Sequence, residues 1–322
     1  MTTVIGTDPG NIDLRTSFLL DIKTGAKNRL IAKMMKTILA LTDFSESAEN
    51  ASHYAFELAK RVKANLILCN AITVPLSQPI PGGMVWPMDY DLVISQSKRA
   101  LKDCANLIVD TSGLPDKAFP KVSVKAEVGD LSDLVREAVL TARVNLAVMG
   151  LSGAGDMRRF FLGSSTRDMI DAAQLPLMLI PKNVKFSPLT KIALATDLSI
   201  ADFEAIQSLV GLAAAFNAEL LIVHVVENGA GPERTGKIND FIAELKTNIN
   251  YDKIYYKNVY NKDVEGGLEW LSEHGQVDCL AMIHRPHDFL DGVLVGSHSQ
   301  KMARLTELPL LVFPQGHKAV VC

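Results

Sequence analysis

One glycine- and hydroxyl-rich segment, VMGLSGAGDMRRFFLGSST at 148–166, has the residue types and spacing of a ligand-binding loop. Its candidate ligand-binding residues are three glycines and the two serines that follow them: Gly150, Gly153, Gly163, Ser164 and Ser165. Glycine followed by hydroxyls at a predicted helix start offers unpaired backbone N–H groups and the positive end of a helix dipole. The segment therefore favours an anion such as phosphate, although glycine and serine are also ordinary turn and cap residues.

Other features of the segment limit the chemistry it could perform. Arg158 and Arg159 lie between the glycines, where arginine either pairs with phosphate or faces water. The chain contains no Walker motif and no G-x-S-x-G nucleophile elbow, and it has no compact acidic cluster for two magnesium ions. The pattern favours binding over catalysis.

The chain is an internal duplication. Four blocks return in the same order: 36–45 as 191–199, 64–72 as 218–226, 145–150 as 278–283, and 163–181 as 296–314. The first block aligns Asp43 with Asp197. Because a repeat of this length is a domain, we predict domains at 35–183 and 184–317. Residues 1–34 are interpreted as a flexible extension or start-site artefact, and 318–322 as a tail.

Each copy alternates buried strands with amphipathic helices. The runs ILAL, LILCNAI, LAVM and LMLI are continuously apolar, as in parallel strands covered on both faces. One helical stripe comprises Ala48, Ala51, Ala55, Leu58, Ala59 and Val62, and a second comprises Leu131, Leu134, Val135, Ala138 and Ala142. This alternation predicts two doubly wound α/β domains with ligands at the carboxyl ends of the strands. The segment 74–90, rich in proline, predicts a long surface loop.

Composition excludes several partners. The 322 residues are 48% hydrophobic and 21% charged, with a net charge of −3, so no basic field attracts nucleic acid or an anionic membrane. Four scattered cysteines form no metal-binding pair and suit a reducing compartment. No apolar run approaches the roughly 18 residues of a membrane helix. These features predict a soluble, cytoplasmic protein.

Three features together resemble the universal stress protein family: the order of elements, an aspartate that closes the first predicted strand (in ALTDFS), and the spacing G-x2-G-x9-G-[ST]. The duplication resembles the tandem members of that family. The resemblance covers about 35–315. It implies Rossmann-like domains related to the adenine-nucleotide α-hydrolases, and an ATP ligand with or without Mg. It assigns the phosphates to the five loop residues named above and the nucleoside to Asp43. The backbone at Ala71 and Ile72 is then expected to face adenine, and Gly129 to line the same pocket.

The second copy departs from this motif. Ile283, Pro286 and Asn261 stand opposite Gly150, Gly153 and Gly129, whereas Gly296, Ser297 and Asp197 remain. A branched side chain and a proline ring fill space that a phosphate needs, so we expect ATP only in the first copy. Another anion could meet the basic side chains of this region: His284, Arg285, His287 and His298. The H-x-x-H spacing lacks a third ligand, so no metal is predicted.

Two classes of function remain open at this stage. The resemblance implies a regulatory or stress-response protein that binds ATP with little or no catalysis. The alternative is a slow ATP hydrolase or an adenylate-transferring enzyme of the same nucleotide-binding group. The pyrophosphate-releasing members of that group carry S-G-G-x-D-S after the first strand, where this chain has TDFSES.

The two copies are also expected to pair with each other. The resemblance implies pairing through the final strands, here 175–181 and 308–314, which are apolar and form an exposed edge when left unpaired. The chain is therefore predicted to be an intrachain pseudo-dimer. Any further homodimer would use another surface, and no protein partner is indicated.

Overall fold

The computed structural model describes residues 18–19, 37–73, 89–111, 120–151, 175–227, 233–285 and 307–317. Strand β1 (Phe18–Leu19) precedes the two halves. The first half contains β2 (Thr37–Leu41), α1 (Glu46–Val62), β3 (Asn65–Ile72), α2 (Tyr90–Thr111), β4 (Val122–Val128), α3 (Leu131–Ala142), β5 (Val144–Leu151) and β6 (Leu177–Pro181).

The second half repeats this order. It contains β7 (Lys191–Ala195), a 3₁₀ turn (Ile200–Asp202), α4 (Phe203–Phe216), β8 (Glu219–Glu227), α5 (Glu233–Asn248), β9 (Ile254–Asn261), α6 (Val264–His274), β10 (Cys279–Ile283) and β11 (Leu310–Phe313). The alternation of strand and helix confirms the predicted α/β class. Among the described residues, no helix is both long and apolar enough to cross a membrane.

The described strands form one sheet in the order β1-β9-β8-β7-β10-β11-β6-β5-β2-β3-β4. Pairing is parallel within each half, apart from the short β1, which runs antiparallel beside β9. The halves join where β6 and β11 pair antiparallel, with Leu179 opposite Leu310. This junction confirms the predicted pairing of the final strands and makes the chain an intrachain pseudo-dimer.

Helices cover both faces of the sheet. One face packs against α1, α2, α4 and α5 across both halves, and the other packs against α3 and α6. Helix α1 shows why the sequence folds this way: the Ser45 hydroxyl caps it by accepting the Ala48 N–H, and its predicted stripe is buried. The helix ends at Lys63, which adopts the left-handed conformation of a C-cap.

The segment between the halves is held against α1. The buried Asn50 amide donates to the carbonyls of Pro181 and Val184, at 3.2 and 2.9 Å. The Phe186 ring packs edge-on against Tyr54, with centroids 5.1 Å apart. These contacts fix the path from β6 to β7.

Candidate functional site

The carboxyl ends of β2, β3, β4 and β5 bring the described site residues to one edge of the first half. Asp43 follows β2, Ala71 and Ile72 end β3, Gly129 follows β4, and Gly150 lies in β5. Since β3 and β5 flank β2 and the connections depart in opposite directions there, this is the topological switch point of the half. Gly153, Gly163, Ser164 and Ser165, with Arg158 and Arg159, lie outside the described residues.

The turn after β2 presents the Asp43 carboxylate. The Thr42 N–H donates to the Cys69 carbonyl at 2.9 Å, which extends the backbone pairing with β3 one residue beyond Leu41. The Thr42 hydroxyl accepts from the Phe44 N–H and one Asp43 oxygen from the Ser45 N–H, each at 3.0 Å. Asp43 is exposed, so its side chain is oriented by the turn but still accessible.

The last two residues of β3, Ala71 and Ile72, direct their peptide groups to opposite sides of the strand. The Ile72 carbonyl accepts the Gly129 N–H at 3.2 Å, so its peptide group faces β4. Peptide groups of successive residues in a parallel strand face opposite neighbours. Ala71 therefore directs its backbone groups to the other side, beyond the point where β2 has ended.

Gly129 requires glycine for its backbone rather than for lack of room. Its φ is +149°, which residues with a side chain rarely adopt, and a Cβ built there meets no atom of the described residues within 4 Å. The space beside the β4 end is thus open on this side of the site.

Gly150 has a different reason to be glycine. A Cβ at this position would lie 2.4 Å from the Ser47 carbonyl oxygen and 2.8 Å from the Ala48 nitrogen. The missing side chain therefore allows β5 to approach the backbone of the first turn of α1. Sequence analysis assigned Gly150 to phosphate contact, and its described contact is with the protein itself.

Two polar residues that the sequence analysis missed support the turn. The Asn70 amide on β3 donates to the Thr42 carbonyl at 2.7 Å, and its oxygen accepts from the Ser97 hydroxyl on α2 at 2.9 Å. The available signal was a polar residue inside an apolar run at the same place in both copies, since Asn70 aligns with His224.

Strand register aligns the second half with the first. The register of β5 on β2 and of β10 on β7 makes Ile283 the equivalent of Gly150. The register of β4 on β3 and of β9 on β8 makes Asn261 the equivalent of Gly129. The two residue correspondences predicted from the sequence therefore hold at the positions that the structure describes. Pro286, Gly296 and Ser297 lie outside the described residues.

The turn after β7 repeats the first-half turn but carries an added cation. Ser199 donates its N–H to Asp197 at 3.0 Å, as Ser45 does to Asp43. Arg285 pairs with the Asp197 carboxylate and also donates to Asp202, at 2.5 Å. The aspartate that remains in the degenerate motif is thus paired within the protein.

Asp202 is the most buried carboxylate of this cluster. It is 0% exposed and accepts the Thr196 hydroxyl at 2.6 Å. Burial raises the pKa of Asp202 to about 6, against the opposing effects of Thr196 and Arg285.

Two of the four basic residues that the sequence suggested for another anion, His284 and Arg285, lie within the described part of the chain. Arg285 is committed to two carboxylates, and the side chain retains 19% of its exposure. His284 is buried, and its backbone N–H donates to the Phe313 carbonyl at 2.8 Å. His287 and His298 lie outside the described residues.

Comparison with known proteins places these observations in a family. The model of the "Universal stress protein family" matches twice, at 34–181 and 188–314. The universal stress protein Slr1230 of Synechocystis is 25% identical over 300 residues, covering 87% of this chain and all of that protein. A universal stress protein of Thermus aquaticus is 26% identical over 46% of this chain and 99% of its own length.

A solved structure supports the same architecture. A universal stress protein from Archaeoglobus fulgidus superposes with a TM-score of 0.63, covering 88% of this chain and 99% of its own, at 18% identity. At that identity the likeness concerns the fold alone. The two family matches span most of the chain, and one half suffices to align with nearly all of the Thermus protein. The chain belongs to the universal stress protein family and contains two copies of its domain.

Proposed function

We propose that this protein binds ATP in its first half and acts as a regulatory or stress-response nucleotide-binding protein with little or no catalysis. Family membership, the glycine motif that follows β5, and the location of Asp43 at a topological switch point support the proposal. The proposed compartment is the cytoplasm, because Cys69 and Cys279 are free, buried thiols.

The contrast between Asp43 and Asp197 carries the proposal. Within the described residues, Asp43 is exposed and its carboxylate accepts only the Ser45 N–H, which leaves acceptor positions for a ligand. Asp197 instead pairs with Arg285. The first half therefore retains a recognition group that the second half uses internally.

The described residues fit a nucleoside. Asp43 would accept hydrogen bonds from ligand hydroxyls, and the outward backbone groups of Ala71 would bind the edge of a base. The open space at Gly129 leaves room beside them. Bound ATP would supply a triphosphate, with or without Mg, to the loop of Gly153, Gly163, Ser164 and Ser165. Gly150 would contribute by keeping β5 close to α1.

Hydrolysis is at most a slow side reaction in this proposal. The sequence has no lysine directly after Gly163 and no compact acidic cluster for a metal pair. A turnover of a few per second or more would instead favour the alternative enzyme.

The test measures binding, stoichiometry and turnover on the full chain. Mass spectrometry of denatured protein identifies copurified nucleotide, and calorimetric titration with ATP is expected to give one site per chain. Gly153→Val should abolish that binding, whereas the matched Pro286→Ala change in the second half should leave it intact. Two sites per chain, or unchanged affinity in Gly153→Val, would refute the assignment.

A further inference from the structure

A chain of hydrogen bonds connects helix α2 to the turn that carries Asp43. The Ser97 hydroxyl donates to the Asn70 side-chain oxygen at 2.9 Å, and the Asn70 amide donates to the Thr42 carbonyl at 2.7 Å. Ser97 is 9% exposed and Asn70 is half-buried, so water competes weakly for these groups. Thr42 immediately precedes Asp43, and its peptide group sets where the turn begins.

The direction of each hydrogen bond is fixed by chemistry. A backbone carbonyl only accepts, so the nitrogen of the Asn70 amide must face Thr42. The amide oxygen then faces Ser97, whose hydroxyl must donate. A side chain with two acceptor oxygens at position 70 would place one of them against the Thr42 carbonyl.

The second half reaches the same carbonyl with a different side chain. Strand register places His224 at the position of Asn70, and its Nδ1 lies 2.9 Å from the Thr196 carbonyl. Since the carbonyl accepts, Nδ1 carries the proton. Two chemically different residues thus preserve one contact behind the aspartate turn.

We propose that Asn70 is a positioning residue for nucleotide binding: it holds the Thr42–Asp43 peptide in its binding orientation, and Ser97 couples that orientation to α2. This inference rests on the proposed function. The amide acts through the turn and does not itself touch the nucleotide. A ligand on Asp43 and the placement of α2 therefore depend on each other.

Four variants test this chain of hydrogen bonds. ATP affinity is measured by calorimetry on the full-length protein, at a temperature below the onset of unfolding. Asn70→Asp should weaken binding at least tenfold, because an acceptor then opposes the Thr42 carbonyl. Asn70→Ala should weaken it roughly three- to tenfold, and Ser97→Ala about two- to threefold, which is the range expected for lost hydrogen bonds. Asn70→His should weaken it no more than Ser97→Ala does, because it reproduces the His224 contact with the turn and loses only the Ser97 link.

The matched control is His224→Ala, which removes the equivalent contact from the half without a predicted ATP site. It should lower thermal stability about as much as Asn70→Ala does and leave ATP affinity unchanged. An equal loss of affinity in His224→Ala would show that the effect is general destabilisation, and the inference would be wrong. Should Asn70→Asp fail to fold, Asn70→Ala and Ser97→Ala decide the question.

The remaining outcomes separate this inference from the proposed function. Parent-like affinity in both Asn70→Ala and Asn70→Asp would overturn the positioning role while ATP binding stands. A parent protein that does not bind ATP would overturn the proposed function and the inference with it.

Discussion

The turns after β2 and β7 have the same backbone but different surroundings. Phe44 and Leu198 both take positive φ, 65° and 69°, and the hydroxyl before each aspartate accepts the same backbone N–H. Both aspartates are exposed, but within the described residues Asp43 accepts only the Ser45 N–H, whereas Asp197 also pairs with Arg285. The two copies therefore share the geometry of this turn, although the carboxylate of the second copy has a charged partner within the protein.

The starts of the helices that follow these turns differ as well. Helix α1 begins at Glu46 and passes so close to β5 that only glycine fits at position 150. At the equivalent place the second half has Ile283, and its chain forms a separate 3₁₀ turn before α4 begins at Phe203. The wider side chain and the altered helix start occur together, as sterics require.

The largest expected effect comes from placing the second-half residue in the first half. Gly150→Ile puts a Cβ 2.4 Å from the Ser47 carbonyl, so the backbone of α1 must shift. We expect the free energy of unfolding to fall by about 3 kcal/mol or more, with loss of ATP binding, as measured by denaturant unfolding and calorimetry. The matched Ile283→Val change should cost about 1 kcal/mol. Equal costs for the two variants would contradict the steric account.

The second prediction removes the cation that distinguishes Asp197 from Asp43. Arg285→Met leaves the buried Asp202 without its charged partner, at an expected cost of about 3 kcal/mol at pH 8. The pKa of Asp202 is already raised to about 6 by burial, and loss of the arginine raises it further. The cost should shrink as the pH falls from 8 toward 6 and level off below that, because both proteins then hold the carboxyl protonated and it needs no counter-charge.

Denaturant unfolding from pH 5 to 8 tests this prediction. The double variant Arg285→Met with Asp202→Asn should recover part of the lost stability at pH 8 and lose the pH dependence. A pH-independent cost in the single variant would show that the arginine acts through packing alone.

A third, smaller effect concerns His317, which packs against Phe313 and against Ser208 of α4 in the second half. Its Nε2 lies 3.0 Å from the Ser208 hydroxyl, and burial lowers the pKa of His317 to about 4 while Glu204 opposes the shift. A histidine with a lowered folded pKa contributes stability above its ordinary pKa of about 6.5 and loses it as the pH falls toward 4.

His317→Gln should flatten the pH dependence of stability between 6.5 and 4, by roughly 1–3 kcal/mol at pH 4. The measurement is the midpoint of thermal or denaturant unfolding across that range. Parallel pH profiles for the parent and the variant would refute a role for this histidine.

The smallest effect concerns Lys125 and Lys257, which strand register places at equivalent positions of β4 and β9. Lys125 pairs with Glu137 at 3.1 Å, whereas Lys257 lies over the Trp270 ring, 5.1 Å from its centroid. Glu137→Gln should cost less than about 1 kcal/mol at low salt and almost nothing at 1 M salt, because the pair is partly exposed and screened. Lys257→Gln should cost about 0.5 kcal/mol at both salt concentrations. A salt-independent cost for Glu137→Gln would contradict the contrast.

Much of the architecture could be predicted from the sequence. Continuous apolar runs located the buried strands, and the repeat located the two halves. Both signals can be read from the sequence without knowing which distant residues are in contact. The pairing of β6 with β11 followed from the family resemblance and is confirmed, and the structure adds that the two strands run antiparallel. The location of Asp43 and Gly129 at the carboxyl ends of parallel strands followed from the predicted topology.

The parts that could not be predicted depend on contacts between distant residues. Nothing in the spacing around Gly150 shows that Ser47, about a hundred residues earlier, passes within contact distance. The basic charge of Arg285 suggested an anion, and its carboxylate partners become apparent only when β7 and β10 lie side by side. The Asn70 and Ser97 link has no periodic signature, although aligning the two copies exposes position 70.

The β6–β11 junction also changes how the first half depends on concentration. Two separate domains joined by such strands would dissociate on dilution, whereas a short covalent linker keeps the second domain at an effective concentration on the order of millimolar. Asn50 donates hydrogen bonds to that linker and so further restricts the positions that the second domain can take. The half that carries Asp43 therefore has its β6 edge covered at any expression level, and this cover depends on β11 and not on the turn that holds Asp197.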